Sequence, residues 1–153
     1  MEFNMEKIIN DPEIMKNFIT SNWSYCFNTN CQYADSCFRQ LSVKYKPNTA
    51  DCGRAVYPDA CKDGKCRHYV RLGKATVAWG FDGMYNDVKW ADLQDLREDV
   101  KHLLGGKTAY YRYHRGDKKL SPSQQENIRR LFLKYGYERV EFAHTEERVM
   151  LLG

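Results

Sequence analysis

The clearest pattern of apolar and polar positions lies in the second half of the chain, from about residue 69 onward. Residues 75–81 (ATVAWGF) are mostly apolar and rich in strand-forming residues, which predicts a buried strand. In ADLQDLREDVKHLLGG, leucine and valine recur along one helical face, and two glycines provide a C-terminal stop. SPSQ is a capping box at Ser121 that begins another helix, ending near Gly136.

Three further segments read as strands. TAYYRYHRG (residues 108–116) is aromatic and ends in a turn, while ERVEFAH (138–144) and RVMLL (148–152) are predicted to form a hairpin across Thr145 and Glu146. The resulting order, β-α-β-α-β-β, predicts a small sheet with two packed helices. No glycine-rich phosphate loop follows a strand, so we expect an α+β fold rather than a doubly wound one.

The first half of the chain has weaker periodicity and many turn residues. Asp11 followed by Pro12 predicts a short helix to about Ile19, and residues 36–44 predict a second. We therefore expect a single domain, residues 1–153. Its predicted sections are an N-terminal helical arm (1–22), a cysteine-rich metal-binding section (23–72) and an α+β body (73–153).

Composition narrows the class of protein. Eleven Tyr, seven Phe and three Trp in 153 residues argue against disorder. A net charge of +4 permits contact with nucleic acid or an acidic partner without requiring it. No apolar run reaches the roughly 18 residues of a membrane span, and acidic residues interrupt the N-terminus, so no membrane contact and no signal peptide are expected. These features predict a cytoplasmic protein with reduced thiols.

Six cysteines are the main candidate chemistry. CFNTNCQYADSCFRQ (residues 26–40) contains three with the spacing C-x4-C-x5-C, and Cys61 and Cys66 repeat the four-residue gap. A structural zinc site takes four thiolate or imidazole donors, usually supplied by two loops. The predicted zinc ligands are Cys26, Cys31, Cys37 and Cys66, with Cys61 and His68 as substitutes and Cys52 outside the site.

Two alternatives remain open for the cysteines. Free cysteines are often buried as small apolar side chains. In an oxidising compartment the six would form three disulfides, whose pairing the sequence alone does not determine. The spacing matches no iron–sulfur signature.

Several strings also carry a resemblance to a known family. CFNTNCQYADSCFRQ, AVYP, AWGFDGMY and above all YYRYHRGDKKLSPSQQENIRRLFLKYGY resemble a bacterial family of gut anaerobes, domain of unknown function six-zero-seven-eight. The resemblance covers nearly the whole chain from Cys26. It implies family cysteines at the positions of Cys26, Cys31, Cys37 and Cys66, with Cys52 and Cys61 particular to this chain. It implies no activity.

YYRYHRGDKK (residues 110–119) is a candidate partner-binding surface, because aromatic rings stack on bases and basic side chains neutralise phosphates. Its candidate residues are Arg112, His114, Arg115, Lys118 and Lys119. In a strand only alternate side chains face one ligand. The alternative is therefore an amphipathic strand followed by a solvated basic turn.

No catalytic arrangement stands out. Cys66 and His68 are two residues apart, which does not make a nucleophile–base pair. Asp92 and Asp95 are explained as charges near a helix N-terminus. The sequence favours a small cytoplasmic, zinc-stabilised binding protein that contacts nucleic acid or a protein partner. The alternatives are a metal- or thiol-dependent enzyme and a disulfide-stapled interaction protein.

Overall fold

The computed structural model describes residues 4–153, which form two compact units. The first unit comprises the residues up to Gly73 together with Val149–Gly153, and the second comprises Lys74–Arg148. The chain leaves the first unit within β5 (Arg71–Trp79) and returns within β6 (His144–Leu152), and these two strands pair as a small sheet. Helices combined with small sheets confirm the predicted α+β class.

Two short helices begin the first unit. In α1 (Met5–Asn10), the side chain of Asn4 accepts backbone hydrogen bonds at the N-cap. In α2 (Pro12–Lys16), Asp11 does the same and Pro12 occupies the first turn, as the sequence predicts. The second helix ends at Lys16, before the predicted end near Ile19. The sequence analysis does not predict α1 as a separate helix.

The cysteine-rich section is built from very short elements. Strands β1 (Tyr25–Cys26) and β2 (Ala55–Val56) pair in parallel, and β3 (Cys61–Lys62) and β4 (Lys65–Cys66) form an antiparallel hairpin. The predicted helix at 36–44 appears as α3 (Phe38–Leu41), followed by a 3₁₀ turn, Ser42–Tyr45. Such short elements provide little regular backbone hydrogen bonding, so side chains must hold this section together.

The core of the first unit is small and aromatic. Phe38 is fully buried, with the rings of Phe18 and Trp23 packed edge-on at centroid distances of 6.0 and 5.2 Å. Trp23 Nε1 donates to the Oγ of buried Ser42 at 2.9 Å. Among residues 4–73, the buried apolar side chains are Met15, Cys37 and Phe38.

The second unit has longer helices and a larger core. Between β5 and β6 lie α4 (Trp90–Leu103), α5 (Lys107–Arg115) and α6 (Pro122–Lys134). The predicted capping box is present at the start of α6, and Gly136 follows its end with φ 88°. The core cluster contains Phe81, Met84, Leu96, Val100, Tyr110, Tyr113, Leu120, Ile128 and Phe132.

The prediction of a strand in TAYYRYHRG is wrong, because this segment is helix α5. Helical spacing turns both Tyr110 and Tyr113 into the core, where alternating strand geometry would have placed them on opposite faces. Packing of these two rings therefore overrides the strand preference of tyrosine. Gly116 ends the helix in the left-handed region (φ 85°), and a Cβ there would lie 2.7 Å from Trp79 Cδ1.

The predicted C-terminal hairpin is also wrong. Residues 138–143 contain no strand, and His144–Leu152 is one nine-residue strand that runs straight through Thr145 and Glu146. It pairs with β5, so pairing with a strand distant in the sequence replaces the expected local hairpin. The order after the cysteine-rich section is thus β-α-α-α-β rather than β-α-β-α-β-β.

The single-domain organisation and its section bounds stay a prediction, because compact units need not fold separately. Within the described residues, no helix is long and apolar enough to cross a membrane.

Candidate functional site

The four preferred zinc ligands meet at one place in the first unit. A small cavity of about 20 Å³ is lined by Cys26, Cys31, Cys37 and Cys66, together with His68 and several other side chains. The donors come from β1, the loop after it, the residue preceding α3, and β4. Folding therefore gathers thiols that are spread over some forty positions of the sequence.

Hydrogen bonds hold the loop of residues 27–36 against the β3–β4 hairpin. The Tyr33 hydroxyl and Gln32 Nε2 both donate to the carbonyl of Gly64, at the hairpin turn, and the Gln32 bond is 3.0 Å long. The Tyr33 N–H points to Cys31 Sγ at 3.5 Å, and the Tyr33 carbonyl accepts from the Cys37 N–H at 2.8 Å. The two segments that carry thiols are thus tied together by hydrogen bonds to the backbone of the hairpin turn.

Cys61 lies in the same cluster, although it does not line the cavity. It is the cross-strand partner of Cys66. Burial, then the negative charges of Cys31 and Cys66, and a hydrogen bond with Cys31 raise the pKa of the Cys61 thiol. Cys52 is exposed, and all six cysteines are free thiols.

The thiols are gathered but not arranged for coordination. Among residues 4–153, no group of three or more His, Cys, Asp or Glu side chains has the arrangement that would hold a metal ion. The predicted zinc and its ligands stay a prediction.

A broad groove, which the sequence reading missed, opens in the same unit with a volume of about 730 Å³. Its basic lining residues are Arg39, Lys62, Lys65 and Arg67, with His68 beside them and Asp59 as the acidic one. The ring of Tyr57, which also lines it, is 78% exposed. The available signal was CKDGKCR, a turn sequence flanked by basic residues, but Arg39 and Tyr57 are distant from it in the chain.

Arg39 is the most firmly held of these basic side chains. Its Nε donates to the His68 carbonyl at 2.8 Å and its Nη1 to the Ser24 carbonyl at 2.9 Å. The guanidinium also lies 4.5 Å from the ring centroid of Trp23. Arg39 and His68 line both the groove and the thiol cavity, so the two features share a wall.

The predicted partner surface is divided by the structure. Arg112, Arg115 and Lys118 are exposed, and Arg115 pairs with Asp117 at 3.0 Å. Two other predicted residues are engaged within the second unit. Lys119 Nζ lies 3.2 Å from the ring centroid of Trp79, and His114 Nδ1 accepts a hydrogen bond from the Phe81 N–H at 3.1 Å.

Two carboxylates of α4 accept hydrogen bonds from tyrosines. Asp92 accepts a hydrogen bond from the Tyr137 hydroxyl, and Asp99 accepts one from the Tyr135 hydroxyl at 2.6 Å. The bond to Asp99, with burial as a second cause, raises the pKa of Tyr135 to about 12. These two bonds connect α4 with Tyr135 and Tyr137, at and just after the end of α6.

Fold and surfaces together define a small α+β protein with a thiol cluster in one unit and basic surfaces in both. The chain belongs to the family of unknown function DUF6078, whose model matches residues 5–149. The family resemblance read from the sequence is thereby confirmed, while the bacterial origin stays a prediction. No curated protein and no solved structure is significantly similar to the chain.

The contacts of Arg39 yield a stability prediction. Arg39→Lys keeps the charge, but an ammonium cannot reach both carbonyls while lying over Trp23. We expect the free energy of unfolding to fall by about 2 kcal/mol, measured by urea titration with tryptophan fluorescence. Arg54→Lys, at an exposed arginine of the same unit, should change it by less than about 0.5 kcal/mol. Equal effects of the two substitutions would contradict the role assigned to Arg39.

Proposed function

We propose that the protein is a small cytoplasmic, non-enzymatic binding protein that contacts nucleic-acid phosphates and is stabilised by one zinc ion. The observation that carries the binding proposal is the exposed basic face of α5 and the turn after it. We call this the α5 surface and define it by Lys107, Tyr111, Arg112, Arg115 and Lys118. The zinc belongs to the first unit and serves its stability.

Charge supports the α5 surface as the contact. Residues 107–119 contain five Lys or Arg and one Asp, so their net charge equals the +4 of the whole chain. The remainder of the chain therefore has a net charge of zero. A concentrated basic patch attracts a polyanion through release of its counterions.

Helical geometry supports it further. Lys107, Tyr111 and Arg115 follow one another at four-residue intervals, so they lie along one helix face, with Arg112 next to Tyr111. The Tyr111 ring is 40% exposed, which leaves an aromatic surface between two cations. Such a combination suits a base stacked on the ring and flanking phosphates held by the cations.

The engaged polar groups favour binding over catalysis. His114 uses Nδ1 to accept from the Phe81 N–H, and Asp92 and Asp99 accept from tyrosine hydroxyls. A general base needs a free nitrogen or oxygen within reach of the substrate proton. His114 Nδ1 and the Asp92 carboxylate thus already have other hydrogen-bond partners.

The thiol cavity supports the zinc part of the proposal. At about 20 Å³ it is a little larger than one water-sized sphere, and four of its lining residues are cysteines. Zinc binds thiolates at about 2.3 Å, so the sulfurs would have to turn inward around the bound metal. A site closed by four protein thiolates has no free position for substrate, so its contribution is structural.

The zinc proposal predicts which cysteines hold the metal. Cys66→Ser should lose most of the one zinc per chain found in the wild type, because it removes a thiolate from the cavity. Cys52→Ser, at the exposed cysteine, should retain it and is the matched control. Elemental analysis of purified protein measures both.

Cys61→Ser separates the preferred ligand set from the substitute and should also retain zinc. The proposal would be contradicted if the wild type contained no zinc, or if the Cys66 and Cys52 variants had the same zinc content per chain. Thiol counting under denaturing, non-reducing conditions should find about six free thiols, whereas the disulfide-stapled alternative gives almost none.

The binding proposal predicts a salt-dependent affinity for nucleic acid that needs the α5 surface. Fluorescence anisotropy with short single- and double-stranded oligonucleotides should show binding that weakens as salt rises. The double substitution Arg112→Gln and Arg115→Gln should reduce the slope of log K against log salt by about 1.4 to 1.8.

Arg130→Gln is the control, because this exposed arginine lies on α6 and pairs with Glu126. Its salt slope should match that of the wild type. Absence of affinity for any DNA or RNA probe at low salt removes nucleic acid as the partner.

A further inference from the structure

The broad groove of the first unit is not used by the proposed function, which concerns a surface of the second unit. We infer that it is a nucleotide-binding groove, in which Tyr57 stacks on the base and the basic wall holds the phosphate. The Tyr57 groove is lined by Tyr57, Arg39, Lys62, Lys65 and Arg67, with Asp59 and His68. The inference does not depend on the α5 surface.

Size and charge fit a nucleotide. The volume of about 730 Å³ lies within the range of small-molecule pockets. Four permanently basic side chains line the groove against one carboxylate, that of Asp59. This excess of positive charge favours an anion, and a groove of this size holds more than a lone phosphate ion.

The β3–β4 hairpin carries an electrostatic cost that a bound anion would relieve. Lys62 and Lys65 are direct cross-strand partners, and like charges in that position destabilise a hairpin. Within residues 4–153, neither lysine has a salt-bridge partner. Phosphate oxygens between the two ammonium groups would turn this repulsion into attraction.

The hairpin also fixes where the lysines lie. Asp63 and Gly64 form its turn with φ of 50° and 71°, the left-handed backbone that tight hairpins require. A two-residue turn gives the strands one register. The backbone thus holds the two lysines as a cross-strand pair rather than on separate loops.

Tyr57 has the exposure expected of a stacking residue. The residue is 78% exposed, so packing within the protein does not explain its position. Pro58 follows it, and the backbone of Tyr57 is extended (φ −68°, ψ 149°), as a residue before proline prefers. A ring on a restricted backbone loses less freedom when a base stacks on it.

Arg39 adds a positive charge that needs no reorganisation. Its Nε and Nη1 are fixed by the carbonyls of His68 and Ser24, so the guanidinium keeps its place in the wall. A preorganised cation binds an anion more tightly than one that must first be ordered.

Isothermal titration of the full chain at low salt with ADP, adenosine and inorganic pyrophosphate tests the inference. Wild type should bind ADP more tightly than either adenosine or pyrophosphate, since ADP uses both the ring and the cations. Lys62→Gln and Lys65→Gln should each lower the affinity for ADP and for pyrophosphate by about tenfold. Tyr57→Ala should lower the affinity for ADP by about tenfold and leave the affinity for pyrophosphate unchanged. Tyr57→Phe, which keeps an aromatic ring, should bind ADP as the wild type does.

Lys16→Gln is the matched control, since it removes one exposed lysine of the same unit, on α2 and outside the groove. It should leave ADP binding unchanged. The double substitution Arg112→Gln and Arg115→Gln should also leave ADP binding unchanged. The nucleic-acid proposal and the groove inference can therefore fail independently.

A five-nucleotide single-stranded RNA distinguishes the two sources of the same chemistry. If the groove variants weaken RNA binding and the RNA binds more tightly than ADP, the ligand is a segment of single strand. If ADP binds more tightly, the ligand is a free nucleotide. The inference would be overturned if the wild type bound neither ADP nor the RNA. It would also be overturned if the wild type and all groove variants bound ADP and the RNA with equal affinity.

Discussion

The first unit buries very little apolar surface, and this shortage governs how its loops are held together. Among residues 4–73, only Met15, Cys37 and Phe38 are buried apolar side chains, whereas the second unit buries eleven. Burial of large apolar side chains is the main stabilising contribution in folding. The first unit must therefore rely on cross-links between its loops. Side-chain hydrogen bonds provide some of these cross-links. A metal bound by the clustered cysteines would provide a stronger cross-link.

This constraint connects the thiol cluster with the basic groove. Along β4, Lys65 and Cys66 point to opposite faces, so one short strand supplies a groove cation and a cavity thiol. Arg39 and His68 line both features. A cross-link that orders the cysteines would therefore also order the groove. The proposed role of the thiols is structural, and within the first unit ligand recognition would belong to the groove that shares a wall with them.

The sequence predicted the features that depend on local signals. The capping box at Ser121 and the Asp11–Pro12 start were correct because caps and first-turn prolines act within a few residues. The strand at 108–116 was wrong because burial of Tyr110 and Tyr113 against distant residues decided its geometry. The groove was missed for a similar reason. Its wall combines Arg39, Tyr57 and the hairpin, whose proximity exists only after folding.

The proposed zinc site would be closed by cysteines of the first unit. X-ray absorption at the zinc edge of the purified protein tests it most directly, because it reports the type and number of atoms bound to the metal. A closed thiolate site should give a single shell of four sulfur atoms at about 2.3 Å. A shell that includes a water oxygen, or protein that binds no zinc, would contradict it.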